Sequence, residues 1–154
     1  MGIGLADAKE LIKLAQKQGA QHKKAISVAI VDDGGFLVLL ERQDGARPMT
    51  PSIATSKAYS AAVMQRPIKM LKQWAEHEPT FFSQVGRMGM YPIVATEGGV
   101  TIKRDGVIIG GIGVSGGRAE EDQAICDGAL TAGGYELEFE AWGAPSASGA
   151  EAAI

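Results

Sequence analysis

The chain is short of the residues that carry most redox and metal chemistry. Its 154 residues hold one cysteine, Cys126, and two histidines, His22 and His77. A single cysteine excludes an intramolecular disulfide framework and a multi-cysteine metal site. Charge of one sign is also missing. Fifteen basic and 18 acidic residues leave a net charge of −3, with no basic run, which argues against nucleic acid as the main partner. No apolar run approaches the ~18 residues that a bilayer span needs, so no membrane partner is expected. The first residues, MGIGLADAKELIK, read as an amphipathic helix. They carry no basic segment followed by an apolar core, so no signal peptide is expected and the expected location is cytoplasmic. The length suits one domain, able to bury roughly two-thirds of its unfolded surface.

Glycine is what the chain has in excess: 21 residues, nearly twice the ~7% average. They gather around residues 33–35, 98–99, 106–117 and 133–134, between segments of clear periodicity. Leu5, Ala8, Leu11, Ile12 and Ala15 form a helical stripe, which Gly19 is expected to end. Residues 25–31 (AISVAIV) and 36–41 read as strands joined by the turn Asp32-Asp33-Gly34-Gly35. Thr50-Pro51 reads as an N-cap followed by proline at the first helical position, with the helix reaching about Met64. Pro67 opens another helix through Leu71 and Trp74. Residues 79–92 (PTFFSQVGRMGMYP) lack periodicity and are expected to form an irregular, lid-like segment. Residues 93–96, 100–104 and 107–114 read as strands, the last two a hairpin about Asp105-Gly106. Residues 118–131 read as a helix, closed by Gly133-Gly134. Residues 135–142 read as a short strand or an extended arm. The domain is expected over 1–142, with a mobile tail over 143–154. The order α-β-β-α-α-β-β-β-α predicts an α+β fold, an antiparallel sheet of about five strands with helices packed on it.

Gly111, Gly113 and Gly116 in GGIGVSGG spell G-x-G-x-x-G after an apolar strand, the dinucleotide-binding pattern. That pattern works only between parallel strands at a switch point of the sheet. Here the strand is the return arm of the Asp105-Gly106 hairpin, so its neighbour is antiparallel and a nicotinamide cofactor is not expected. Glycines within a strand instead mark a place where something approaches the backbone closely. Two occupants fit: a tightly packed helix or a flat ligand. The loop Ser115-Gly116-Gly117 at a helix N-terminus has N–H groups able to hold an anion.

With these elements placed, VAIVDDGGFLVLLERQDGARP, ATSKAYSAA, EGGVTIKRDGVIIGGIGVSGG and AEEDQAICDGAL together resemble the GlcG/HbpS-like family, also found as the C-terminal domain of some corrinoid adenosyltransferases. The resemblance covers about residues 5–133. It implies a profilin-like fold, a homo-oligomer, and haem or corrinoid-related binding in some members. Oligomers are also expected from the exposed edges of a small glycine-rich sheet.

Two functional readings follow. The first is a small-ligand-binding protein with haem or a related tetrapyrrole as cofactor. His22 or His77 would be the histidine ligands, Lys23 and Lys24 would reach propionates, and Phe81, Phe82, Met88, Met90 and Tyr91 would line an apolar slot. The second is an isomerase, tautomerase or lyase acting on a carboxylated small molecule. Arg47, with Arg87 near the lid, would clamp the carboxylate. Glu97, beside Gly98 and Gly99, would move protons. Lys57 is expected either to do chemistry from a buried position or to pair with Asp44 or Asp122. Cys126 is expected to be a buried helix residue without an activated thiolate.

Overall fold

Two tight turns set the sheet. In the first, Oδ1 of Asp32 accepts hydrogen bonds from the N–H groups of Gly34 and Phe36, at 2.9 and 3.0 Å. Gly35 takes φ +85°, and the turn joins β1 (Ser27–Asp32) to β2 (Leu37–Arg42). In the second, Asp105 and Gly106 sit at φ +51° and +77°, as a two-residue hairpin turn requires. It joins β3 (Gly99–Arg104) to β4 (Val107–Ser115). In this computed structural model, which describes residues 1–137, the strands run in the order β2-β1-β4-β3, every pairing antiparallel. Ser27 pairs with Ser115 and Asp32 with Gly110 along β1 and β4. The glycine-bearing strand therefore has an antiparallel neighbour on each side.

The helices are α1 (Leu5–Gln21), α2 (Thr50–Met64), α3 (Ile68–His77), α4 (Pro79–Val85) and α5 (Ala119–Ala132). Among the described residues there are four strands, not five. Residues 93–96 join no ladder because their backbone donors go elsewhere: Ile93 N–H to the Gly86 carbonyl and Val94 N–H to Ser60 Oγ on α2, both at 3.0 Å. The segment expected to be irregular opens with α4, which Pro79 starts at a position where its missing N–H costs nothing. Rings of Phe81 and Phe82 meet Trp74 edge-on at 5.8 and 5.0 Å. Gly19 lies inside α1 rather than ending it; the Ile26 side chain occupies the space a side chain would need there. Thr50 is the first residue of α2, not its cap. Its hydroxyl donates to the Arg47 carbonyl at 2.7 Å and lies 2.8 Å from Ser27 Oγ. The expected arm from residue 138 onward, and the tail, lie outside the described residues.

The period of two along the strands sorts side chains into two layers. Val28, Ile30, Val100, Ile102, Ile112 and Val114 meet α1 and α5 through residues such as Leu11, Ile12, Ile125 and Leu130. The opposite face is thin. There Ala29 and Val31 meet Ala54, Ala58 and Ala62 of α2, and Gly99, Gly111 and Gly113 face the same helix. A methyl group added at Gly113 would overlap the Ala54 carbonyl and the Ala58 nitrogen; one at Gly111 would overlap the Ala58 carbonyl. The strand glycines serve a helix that lies on the sheet backbone to backbone. Among the described residues, no helix is long and apolar enough to cross a membrane.

Because the obstructing atoms at Gly113 are main chain, overpacking there has no flexible side chain to relieve it. Gly113→Ala is expected to lower unfolding stability by about 3 kcal/mol, read from urea denaturation. Gly4→Ala, with no atom within 4 Å of the added methyl, is expected to cost less than about 1 kcal/mol.

Candidate functional site

Beside the first turns of α2 the sheet leaves a groove of 790 Å³. Leu37 and Leu40 of β2 and Met49, Pro51 and Ile53 around the start of α2 line one side; Tyr91, Pro92 and Val94 line the other. Ser56, Lys57, Ser115 and Asp122, all buried, make its polar depth. Tyr91 is braced by an edge-on contact with Tyr59 at 5.3 Å. Two hydroxyls of α2 hold the segment that carries this second wall: Tyr59 accepts from Met90 N–H and Ser60 from Val94 N–H, each at 3.0 Å.

The central polar feature is an ion pair. Lys57 Nζ donates to Asp122 Oδ2 at 3.1 Å and to the Val114 carbonyl at 2.9 Å, and both residues are 2% exposed. Asp122 Oδ1 accepts from Gly117 N–H at 2.9 Å. Lys57 comes from the helix on one face of the sheet and Asp122 from the helix on the other. They meet past Gly98, where a methyl group would sit 2.8 Å from Nζ. Burial pushes the Asp122 carboxyl above its ordinary range; Lys57 and the Gly117 N–H pull it back, and burial prevails. Burial likewise drives the Cys126 thiol far up. That thiol donates to the Gly98 carbonyl at 3.3 Å, so it is inert rather than nucleophilic. At the start of α5, the Arg118 N–H bonded to Glu121 at 2.9 Å holds the Glu121 carboxyl below its usual value.

The structure gathers only part of the expected site. Lys57, Tyr91 and Ser115 line the groove. Gly98 and Gly99 lie against Lys57, and Gly116, at φ +145°, turns the chain between Ser115 and α5. Of the two partners proposed for Lys57, Asp122 is the one it meets. The remaining residues stand apart. Arg47 and Arg87 are exposed and do not line the groove. Glu97 lies 3.9 Å from Lys72 and also stands outside the groove lining. His22 lies 3.8 Å from Glu121, and His77 is exposed at the end of α3. Phe82 packs with Trp74, while Met88 and Met90 are exposed. Among the described residues no group of three or more His, Cys, Asp or Glu side chains could hold a metal ion.

Sequence reasoning missed Ser56, Tyr59 and Ser60. A signal for them exists: α2 (TPSIATSKAYSAAVM) contains one charged residue, Lys57. A helix with no charged face is covered on most sides, so its polar side chains must find partners or face a cavity.

A helix seated on sheet glycines, with a groove at its N-terminal end and two helices on the far face, defines a small α+β domain. The family model described as "Haem degrading protein HbpS-like" matches residues 3–131, and the chain belongs to the HbpS-like family. It is 33% identical over 109 residues to Protein GlcG of Escherichia coli (strain K12), across 70% of this chain and 77% of GlcG. It is 26% identical over 132 residues to the corrinoid adenosyltransferase PduO of Salmonella typhimurium. That match takes in 86% of this chain but 39% of PduO, so the chain spans about two-fifths of that enzyme. The crystal structure of a PduOC:heme complex superposes with a TM-score of 0.80 at 25% identity, over 90% of this chain and 100% of the other. The crystal structure of HbpS, at 23% identity and a TM-score of 0.77, shows the same fold over 90% and 92% of the two chains.

The ion pair gives a stability test. Lys57→Met strands a buried carboxylate and is expected to cost about 3–5 kcal/mol at neutral pH. With its partner gone, the folded-state pKa of Asp122 rises further above the unfolded value. Folding is then favoured while the group is protonated and penalised as pH rises. The gap to the parent protein should therefore narrow as pH falls from neutrality through the raised Asp122 pKa, and be smallest near pH ~4, about the unfolded carboxyl value. Lys57→Met combined with Asp122→Leu should recover most of the loss. Denaturant titrations across pH check all three outcomes.

Proposed function

We propose that the chain is a small-ligand-binding protein whose groove takes a flat tetrapyrrole such as haem. The observation that carries this reading is the groove itself. Its 790 Å³ lies within the ~300–1,000 Å³ usual for small-molecule sites. Its lining is mostly apolar, with Ser56, Lys57, Ser115 and Asp122 buried in its depth and Ser52 and Thr96 exposed, a composition that suits an apolar body with a polar edge. The complex of PduOC with haem supports the same reading at the level of the family.

The residues present fit the group. Iron is held in haem proteins by His, Cys, Met or Tyr side chains. Neither histidine lines the groove, but Tyr91 and Met49 do. Tyr91 is the ligand we assign, because its ring is already braced by Tyr59, whereas Met49 is 64% exposed at the rim. Haem held there would supply a redox-active iron. The chain's own residues would hold it: Leu40 and Val94 would give apolar contact from the lining, and the Tyr59 and Ser60 hydroxyls fix the segment that carries Tyr91. The separation of Arg47 and Glu97 from the groove favours binding over proton-transfer chemistry by that pair.

We also propose that a second copy of the chain covers the groove mouth, where Leu37, Met49 and Ile53 are exposed. Light scattering coupled to size exclusion is expected to show an oligomer, and Met49→Lys to weaken it.

Titration with hemin is expected to give a saturable Soret shift at micromolar concentration; its absence overturns the haem reading. Tyr91→Phe should change the Soret and visible bands, while His22→Ala and His77→Ala should leave them as they are.

A further inference from the structure

Two hydroxyls in the depth of the groove have no work within the chain. Ser115 is 5% exposed and Ser56 is 8% exposed. Neither side chain makes a hydrogen bond among the described residues, although both line the groove. Thr55, in the same lining, instead donates to the Pro51 carbonyl at 2.8 Å. The Ser56 and Ser115 oxygens are open to the groove rather than sealed inside the protein, so a ligand entering it meets two hydroxyls that no group of the chain engages. Lys57 adds a third donor. Its ammonium has three N–H groups; two go to Asp122 and Val114, and the third has no acceptor among the described residues. The N-terminus of the 14-residue helix α5 lies at the same place, with Gly117 and Ala119 in the lining. The Gly117 and Arg118 N–H groups already serve Asp122 and Glu121, and the acidic first turn offsets much of the helix potential. Its contribution is therefore the Ala119 N–H, which the helix itself leaves without an acceptor. Asp122 does not oppose an anion there as a free carboxylate would. Its two oxygens are taken by Lys57 and the Gly117 N–H.

We propose that this corner, made of Ser56, Ser115, the free Lys57 N–H and the α5 N-terminus, is a carboxylate-binding subsite. The proposal rests on the groove reading above and deepens it: the ligand is recognised by a carboxylate on its edge, and Arg47 is not the group that grips it. A tetrapyrrole propionate and a short carboxylic acid present the same chemistry, so the test must tell them apart.

The test compares protoporphyrin IX with its dimethyl ester by fluorescence titration, and follows backbone amides of the labelled protein by NMR during addition of succinate. The acid is expected to bind about tenfold more tightly than the ester, the effect of one charge-assisted hydrogen bond. Ser115→Ala and Ser56→Ala, neither of which removes a bond within the chain, should shrink that preference. Equal affinity for acid and ester overturns the carboxylate subsite and leaves the groove reading standing. If neither porphyrin binds while succinate shifts the Ser115, Gly117 and Ala119 amides, the subsite holds for a short acid and the tetrapyrrole reading falls. No porphyrin binding and no succinate shift overturns both.

Discussion

The structure depends on how closely one helix can approach one strand. Between α2 and β4 there is no side-chain layer of ordinary depth. The Ala54 and Ala58 backbone lies where side chains at Gly111 and Gly113 would have to be. Sheets usually hold a helix off by the length of their side chains, roughly 10 Å between layers for packed sheets, and that spacing absorbs changes of size. Here it is absent, and the position of α2 is set by main-chain sterics. That closeness brings Lys57 level with the sheet, so that its side chain can pass the end of β4 and meet a carboxylate rooted on the opposite face.

The Lys57–Asp122 pair thus joins the two helical layers where the hydrophobic clusters do not. The apolar groups on either face belong to separate clusters, each satisfied on its own side. A buried pair of this kind adds little net stability over an apolar replacement of equal volume. Its effect is geometric: it fixes the start of α5 relative to α2, and so fixes Ser115, Gly117 and the helix terminus around the polar end of the groove. Gly98, with φ +114°, and the inert Cys126 are part of the same packing. Their roles are to leave room and to hold the Gly98 carbonyl.

Much of this was legible in the residues. Asp105-Gly106 specified a hairpin, the hairpin made β4 antiparallel, and that excluded a dinucleotide site. The α+β class, the boundaries of α2 and the HbpS-like resemblance followed from similarly local signals. The fifth strand failed because residues 93–96 have strand-like composition but give their donors to Ser60 and Gly86, a tertiary choice that no local pattern encodes. The site was half legible. Lys57, Tyr91 and Ser115 stand out by type and neighbourhood. Arg47 and Glu97 stand out equally, and only the path of the chain separates them from the groove. Ser56, Tyr59 and Ser60 were hidden because small polar residues in a helix look like filler until the helix is known to be covered.

The two sides of the groove differ in mechanical character. The α2 side is backbone clamped on backbone, with no slack to yield. The opposite side is a non-helical stretch held by the Tyr59 and Ser60 hydroxyls and anchored by Ile93, which packs with Ile68, Leu71 and Trp74. Under the ligand reading proposed above, α2 is the wall that cannot give way, and any adjustment to a guest falls to the segment that Tyr59 and Ser60 hold.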